Sequence, residues 1–235
     1  MSVATDTHRR RSRGSERRRQ EILDVAARVF QERGYGATSI QDIAEAVGIL
    51  KGSLYYYIDS KEDLLYEILQ DVHVQALKNV ELIEELEGNG LERIRVFVNL
   101  HVKWNSDNLV KLGVFFQDFR SLGAERRLTI IEGRDRYDRF LRQLISEGQQ
   151  QQVICPEIDA KLAALGIFGM TNWIYHWYKP DGTTSPAKLA ESYADFVVNG
   201  LACTPEIHTP GHRSRIAAVP PDALATAHRR TDGLV

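Results

Sequence analysis

The sequence predicts an all-α protein of about nine helices. Apolar residues recur three and four positions apart along most of the 235 residues, as they do on the buried face of a helix. Capping residues and glycines separate these periodic segments, and no segment alternates apolar and polar residues as a strand would. We expect a flexible basic arm at 1–14, a three-helix unit at 15–62, a larger helical unit at 63–203 and a disordered tail at 204–235.

Caps and breaks place the individual helices. Ser15 is expected to begin the first helix and Gly34 to end it, and Thr38 with Gln41 forms a capping box for the second. Ser60 with Asp63 begins a long helix that reaches about residue 86. The remaining helices are expected at 91–104, 107–122, 124–150, 159–178 and 186–201, the last with a serine cap and proline at its first position.

Residues 38–61 are predicted to form two short helices joined at a glycine. Ile43 and Ala44 lie on one apolar face of the first helix, and Gly48 can adopt the positive φ that a sharp turn requires. Leu54 would hold the second helix against the first, so that its cations and hydroxyls point outward. This is a helix-turn-helix, whose second helix enters the major groove of DNA: Lys51 is placed to reach a base edge, and neighbouring hydroxyls to reach phosphates.

The segment Gly48-Ile-Leu-Lys-Gly-Ser-Leu-Tyr-Tyr-Tyr-Ile-Asp-Ser-Lys-Glu-Asp-Leu64 resembles the DNA-binding domain of the TetR family of bacterial regulators. The resemblance covers residues 18–64 and implies base contact by Lys51 and phosphate contact by Ser53, Tyr55, Tyr57 and Lys61. The expected DNA-binding residues are Thr38, Ser39, Lys51, Gly52, Ser53, Tyr55, Tyr56, Tyr57 and Lys61.

The charge distribution agrees with DNA as a partner. Residues 1–61 hold 11 Lys and Arg against 8 Asp and Glu, a balance of +3, whereas residues 62–235 hold 19 against 24, a balance of −5; together they give the net −2. Seven arginines lie between residues 9 and 19, around the start of the first helix. They form either a DNA-contacting arm, with salt-dependent affinity, or a solvated tail.

The larger unit concentrates aromatic residues, which can line a ligand cavity between helices. Some of them must instead belong to the core. The expected ligand-binding residues are Phe97, His101, Trp104, Phe115, Phe116, Phe119, Arg120, Arg134, Tyr137, Trp173 and Trp177.

The segment Asn172-Trp-Ile-Tyr-His-Trp-Tyr-Lys-Pro-Asp-Gly182 resembles one found in a TetR subgroup that includes regulators responsive to acyl-CoA thioesters. The resemblance implies an acyl-CoA effector. An uncharged aromatic or lipophilic effector, or no effector at all, remains the alternative. Some acyl-CoA responders carry an arginine in this helix, and here there is none between Asp159 and Tyr178.

The last two helices are expected to pair two copies of the chain as a four-helix bundle, as the family does. The expected interface residues are Leu165, Phe168, Leu189, Tyr193, Phe196 and Val197. Dimerisation also has a physical reason, because one short recognition helix reads too few bases. A two-fold dimer would read a palindromic operator, most simply as a repressor.

Several classes of protein are excluded. The sequence lacks a Gly-rich phosphate loop, a nucleophile elbow and His-Glu-x-x-His metal spacing, so it predicts no enzyme, no cofactor and no metal site. No run of 18 apolar residues exists and no apolar stretch follows the basic N-terminus, so neither a membrane span nor a secretory signal is expected. Two cysteines, Cys155 and Cys203, favour a reducing compartment. We expect a cytoplasmic, nucleoid-associated bacterial protein.

Overall fold

The computed structural model describes residues 3–203, with side chains from residue 15 onward. Over this part of the chain it contains ten α-helices, two of them single turns, and one 3-10 turn. The α-helices are α1 (Val3–Arg33), α2 (Ile40–Val47), α3 (Lys51–Leu54), α4 (Lys61–Glu84), α5 (Gly90–Asp107), α6 (Leu109–Asp118), α7 (Ala124–Gln150), α8 (Ala160–Asn172), α9 (Ile174–Trp177) and α10 (Pro186–Leu201), and the 3-10 turn is Phe119–Ser121. The predicted all-α class is confirmed.

Local capping explains where most helices begin. Ser60 accepts a hydrogen bond from the Asp63 amide at the start of α4, and Asn89 forms a full capping box with Glu92 at the start of α5. Ser185 caps α10 with proline at the first turn, as predicted. Gly34 ends α1 with a φ of +79°, a conformation that other residues rarely adopt.

Three predicted boundaries were wrong. α1 begins at Val3, so Ser15 lies inside the helix and the backbone of residues 3–14 continues it rather than forming a separate arm. The capping box of α2 is formed by Ser39 and Asp42, one position later than predicted. The single helix expected at 159–178 is divided at Trp173 into α8 and α9. The predicted tail at 204–235 lies outside the described residues.

Two apolar clusters hold the chain together. The first packs α1, α2, α3 and the start of α4, and it also includes Val114 and Phe115 of α6 and Ile130 of α7. The second packs α5, α7, α8 and α10 around Phe97, Leu141 and Leu144. Because α6 contributes to the first cluster, the N-terminal helices rest on the larger unit and not only on α4.

The ends of α5 and α7 approach each other closely. A Cβ atom on Gly90 would lie 2.5 Å from the Gly148 nitrogen and 2.5 Å from the Leu144 carbonyl oxygen. Beyond Gly148 a single antiparallel bridge joins Ile154 to Ala202. None of the described helices is long and apolar enough to cross a membrane.

Candidate functional site

The helix-turn-helix presents a polar outer surface on a rigid base. Gly48 ends α2 with a φ of +74°, and the fully buried Leu54 fixes α3 against the N-terminal cluster. Lys51, Gly52 and Ser53 are therefore exposed, and a Cβ placed on Gly52 would meet no atom within 4 Å outside the neighbouring backbone of its own helix. The exposed Ser39, Tyr55 and Tyr56 flank them, while Tyr57 is partly buried beside the Tyr56 ring.

Thr38 and Lys61, both predicted to contact DNA, form hydrogen bonds within the fold. Thr38 is only 2% exposed, and its hydroxyl donates to the Gly34 carbonyl oxygen at 2.8 Å. Lys61 donates to the carbonyl oxygens of Tyr35 and Thr38 at 2.8 and 2.7 Å, and its ammonium lies 4.2 Å from the Tyr35 ring centroid. Both residues thus fix the loop between α1 and α2.

The arginine arm is only partly described. Arg19 pairs with Glu67 of α4, and Arg18 pairs with Glu21 at 2.8 Å, so these two arginines form intramolecular ion pairs. Arg17 is largely exposed and lies 3.6 Å from Glu21. The side chains of the arginines at positions 9–13 lie outside the described residues.

One exposed residue of the helix-turn-helix surface was not predicted from the sequence. Leu50 precedes α3 and is 79% exposed. It stands at the N-cap position, where Ser, Thr, Asp or Asn would normally accept a backbone hydrogen bond, and it makes no such bond. Leu50 therefore contributes neither to the core nor to the cap. An apolar side chain inside an otherwise polar recognition segment was the signal available in the sequence.

A cavity of about 400 Å³ lies between the helices of the larger unit. Its wall is contributed by α4, α5, α6, α7 and α8. The lining residues are Val72, His73, Ala76, Asn79, His101, Trp104, Asn105, Leu112, Phe115, Phe116, Arg134, Asp135, Tyr137, Asp138, Arg142, Leu165, Phe168 and Asn172. A smaller space of about 160 Å³ adjoins it through Phe115, Phe116 and Arg134, and Phe119 lines that space.

The structure brings most of the predicted ligand-binding residues together at this cavity. His101, Trp104, Phe115, Phe116, Arg134 and Tyr137 line it. The others lie elsewhere: Phe97 is fully buried and stacks on Tyr137 at 4.8 Å between ring centroids, Arg120 is exposed, and Trp173 and Trp177 lie about half-exposed at the surface. The α4 residues His73 and Asn79 were missed, because the sequence assigned α4 only the role of a connector.

Burial keeps the two histidines and the tyrosine of the cavity uncharged. It lowers the pKa of both His73 and His101 to about 4, with a hydrogen bond to Asn172 opposing the shift at His101, and it raises the pKa of Tyr137. Charges are confined to four α7 residues: Arg142 pairs with Asp138, and Arg134 lies 3.9 Å from Asp135. The cavity is therefore apolar on one side, neutral and polar on another, and charged along α7.

α6 connects the cavity to the helix-turn-helix. Phe115 and Phe116 of α6 line the cavity, while Lys111 on the same helix lies 3.1 Å from Asp24 of α1 and 2.7 Å from Asp71 of α4. At its end, burial raises the pKa of Asp118, and the Tyr35 backbone opposes this shift. The next segment is tied to α4 as well, through Glu62 to the Gly123 amide at 3.0 Å and through Asp63 to Arg126.

An exposed apolar face lies on α8 and α10. Leu162 and Leu165 of α8, Trp173 just after α8 and Phe196 of α10 are each more than half exposed. Gly166 and Gly169 lie between them with open space above, so another helix can approach closely. Leu189 and Val197, which the sequence assigned to a dimer interface, are instead buried in the chain's own core, and Phe168 and Tyr193 are partly buried against it.

The fold and the exposed helix-turn-helix define a DNA-binding protein with an internal cavity. The family model for bacterial regulatory proteins of the tetR family matches residues 22–68, and the model for the tetracyclin repressor-like C-terminal domain matches residues 87–201. The chain belongs to the TetR family of transcriptional regulators. The prediction of a regulator rather than an enzyme is thereby confirmed.

Individual relatives extend this assignment. The HTH-type transcriptional repressor KstR2 of Rhodococcus jostii is 30% identical over 194 residues, covering 80% of this chain and 93% of the relative. The structure of PfmR from Thermus thermophilus superposes with a TM-score of 0.71 at 35% identity, covering 77% of this chain and 99% of PfmR. A structure of AibR in complex with isovaleryl coenzyme A and operator DNA gives 0.68 at 30% identity, with 79% and 98% covered.

Proposed function

We propose that this regulator is a homodimeric repressor that a coenzyme A thioester releases from a palindromic operator. The observation that carries the proposal is the cavity, because its wall includes residues of α6, the helix that also contacts the DNA-binding unit. AibR, a structural neighbour at 30% identity, has been solved with both isovaleryl coenzyme A and operator DNA. The cavity also argues against a regulator without an effector.

The size of the cavity fits the acyl part of such a ligand. Cavities of roughly 300–1,000 Å³ hold a drug-sized molecule, so about 400 Å³ accommodates an acyl group but not the whole coenzyme A. The nucleotide would extend outward along α7, where Arg127 and Arg134 are seven residues apart and hence lie on one face. Arginine forks suit phosphate oxygens.

One observation favours an uncharged lipophilic effector as the second candidate. Asp135 and Asp138 line the cavity beside Arg134 and Arg142 and offset their charge. Phosphates would have to compete with these carboxylates. A neutral ligand would leave both ion pairs intact.

At the DNA, we assign base contacts to Lys51 and Leu50 and phosphate contacts to the exposed hydroxyls of Ser39, Ser53, Tyr55 and Tyr56. Apolar side chains contact the methyl group of thymine in the major groove, and this gives the exposed Leu50 a role. The partner copy would pack on the face formed by Leu162, Leu165, Trp173 and Phe196, which places two recognition helices on one duplex.

Control would pass through α6. A ligand that displaces Phe115 or Phe116 shifts a helix whose Lys111 pairs with Asp24 of α1 and Asp71 of α4. If this shift changes the separation of the recognition helices, ligand and operator oppose each other. A coupling of about 1–3 kcal/mol changes affinity by about 5–150-fold.

Thermal melting against a panel of ligands tests the choice of effector. The panel contains acyl-CoAs from C4 to C16, free coenzyme A and the free fatty acids. A ligand at 100 times its Kd stabilises the protein by about 2.7 kcal/mol. We expect a shift that depends on chain length and occurs only with thioesters. A shift with the free acids alone would favour a lipophilic effector without phosphates, and no shift with any thioester would refute the proposal.

A further inference from the structure

A histidine interrupts the apolar stripe of α4. Leu69, His73, Ala76, Val80 and Ile83 follow one another at intervals of four and three residues, so they share one face of the helix. The other four are apolar and pack into the two clusters of the core. His73 is buried with them and only 9% exposed. A polar side chain at such a position destabilises the fold unless its nitrogen atoms find hydrogen-bond partners.

The Nε2 atom of His73 has no hydrogen-bond partner among the described residues. Asp118 Oδ2 and Arg142 Nε are also buried and unpaired there, but Asp118 does not line the cavity and Arg142 is already paired with Asp138. His73 does line the cavity. Since folded proteins leave few buried polar atoms unpaired, an unpaired nitrogen in a cavity wall indicates a hydrogen bond to a ligand.

The surroundings of the ring allow a ligand to reach it. A Cβ on Gly133 of α7 would lie 3.4 Å from His73 Cγ and 3.5 Å from Nδ1, so the glycine leaves space for the ring to adjust. The Phe115 ring of α6 packs against the imidazole edge to face, at 5.2 Å between centroids, and it also lines the cavity. A ligand that displaces Phe115 therefore takes the place of that ring beside His73.

His73 lies at the end of the cavity from which coenzyme A would extend. It neighbours Gly133, and the next residue, Arg134, borders both the cavity and the smaller adjoining space. With the acyl group inside the cavity and the nucleotide outside along α7 toward Arg127, the thioester that joins them lies at this boundary. Its carbonyl oxygen is the one hydrogen-bond acceptor of an unsubstituted acyl group.

We infer that His73 recognises the thioester of the effector, with its Nε2–H donating a hydrogen bond to the thioester carbonyl oxygen. The inference rests on the proposed function and deepens it, because it names the group of the effector that the cavity selects. A neutral imidazole has one N–H donor, and a carbonyl oxygen only accepts, so the proton is on Nε2 in the complex. A thioether of the same length would leave this donor unpaired.

The test compares a thioester with the matching thioether. The acyl-CoA that gives the largest melting shift and its S-alkyl-CoA analogue, in which a methylene group replaces the carbonyl, are titrated by calorimetry into the full-length protein. An unpaired buried donor weakens binding by about 5–150-fold, so we expect the thioester to bind at least about fivefold more tightly. Equal or tighter binding of the thioether would overturn the inference and leave the acyl-CoA proposal intact. Binding of neither compound would refute the proposed function and the inference with it.

Variants of α4 assign the preference to the imidazole. His73→Leu removes the donor at similar size, so it should weaken thioester binding, leave thioether binding and bring the two affinities together. His73→Gln retains an amide donor and should retain part of the preference. Val72→Ala, at the preceding cavity-lining position, is the matched control and should change both affinities by the same factor. If His73→Leu does not fold, His73→Met replaces it. A preference that persists unchanged in the folded apolar variant would overturn the assignment.

The carbonyl stretch of the bound thioester gives an independent signature. A hydrogen bond to the carbonyl oxygen lowers its stretching frequency, which difference infrared spectra of a thioester labelled at the carbonyl carbon resolve. We expect a lower frequency in the wild type and in Val72→Ala than in the apolar His73 variant. The same frequency in all three proteins would show that His73 does not contact the carbonyl, even if its replacement changes affinity.

Discussion

Acidification should destabilise the protein through the two histidines of the cavity. His73 and His101 have folded-state pKa values of about 4, because burial disfavours the imidazolium ion. In the unfolded chain both titrate near 6.5. Since the folded pKa is the lower one, the unfolded state binds more protons between pH 4 and pH 6.5. The stabilisation is complete above pH 6.5 and is lost as the pH falls toward 4.

The magnitude follows from this difference in pKa. At pH 5.0 the unfolded histidines are almost fully protonated and the folded ones almost fully neutral. Each then costs about 2 kcal/mol relative to pH 7.5, so the pair removes about 4 kcal/mol from the free energy of unfolding. For a chain of this length that corresponds to a decrease in Tm of roughly 8–16 °C.

Urea unfolding at pH 7.5 and 5.0 measures the effect directly. The variant carrying both His73→Gln and His101→Gln should lose about 4 kcal/mol less than the wild type over this interval, and each single variant about half of that. His176→Gln, at an exposed position, is the matched control and should behave as the wild type does. An equal loss in the wild type and in the double variant would refute the account of the buried imidazoles.

Three further predictions concern other parts of the molecule. Replacing Leu50 by Ala should lower operator affinity, measured by fluorescence anisotropy, by a few-fold to about tenfold. The variant should also bind equally well when uracil replaces thymine at one position of the half-site, because the methyl contact is lost. A loss of affinity with an unchanged response to uracil would contradict the methyl contact. Gly90→Ala should lower the free energy of unfolding by at least about 1–3 kcal/mol, because its Cβ would overlap the α7 backbone, whereas Gly36→Ala, which has open space, should not. Lys111→Met should reduce the effect of an effector on operator affinity without abolishing the binding of effector or operator. Lys103→Met, which removes only a surface ion pair with Asp107, should leave that effect unchanged. An equal effect of the effector in both variants would exclude α6 as the connection between cavity and DNA-binding unit.

The sequence predicted the fold because its helices are strongly periodic and well punctuated. Gly34, Gly48 and the Ser185-Pro186 pair mark ends that require particular backbone angles or caps, and all three were found where the sequence placed them. The cap of α2 was displaced by one residue, because Thr38-x-x-Gln41 and Ser39-x-x-Asp42 both satisfy the capping pattern. In the folded chain the Thr38 hydroxyl donates to the Gly34 carbonyl oxygen, and Ser39 forms the cap.

The site was less predictable because it depends on tertiary contacts. Phe97 and Phe115 are alike in sequence, yet one is enclosed by the core and the other borders the cavity. Nothing local marks Trp173 as a helix break, since it lacks a neighbouring glycine or proline. Lys61 fits a phosphate contact in every local respect, and its use by the carbonyl groups of the α1–α2 loop appears only when that loop is folded beside it.

The central claim is that ligand in the cavity and operator on the recognition helices oppose each other. It is tested most directly by the affinity of the full-length protein for a selected operator, measured by anisotropy with and without saturating acyl-CoA from the melting panel. The account predicts a decrease in operator affinity of about 5–150-fold, and an equal decrease in ligand affinity when operator is bound. An operator affinity that is the same with and without bound ligand would contradict it.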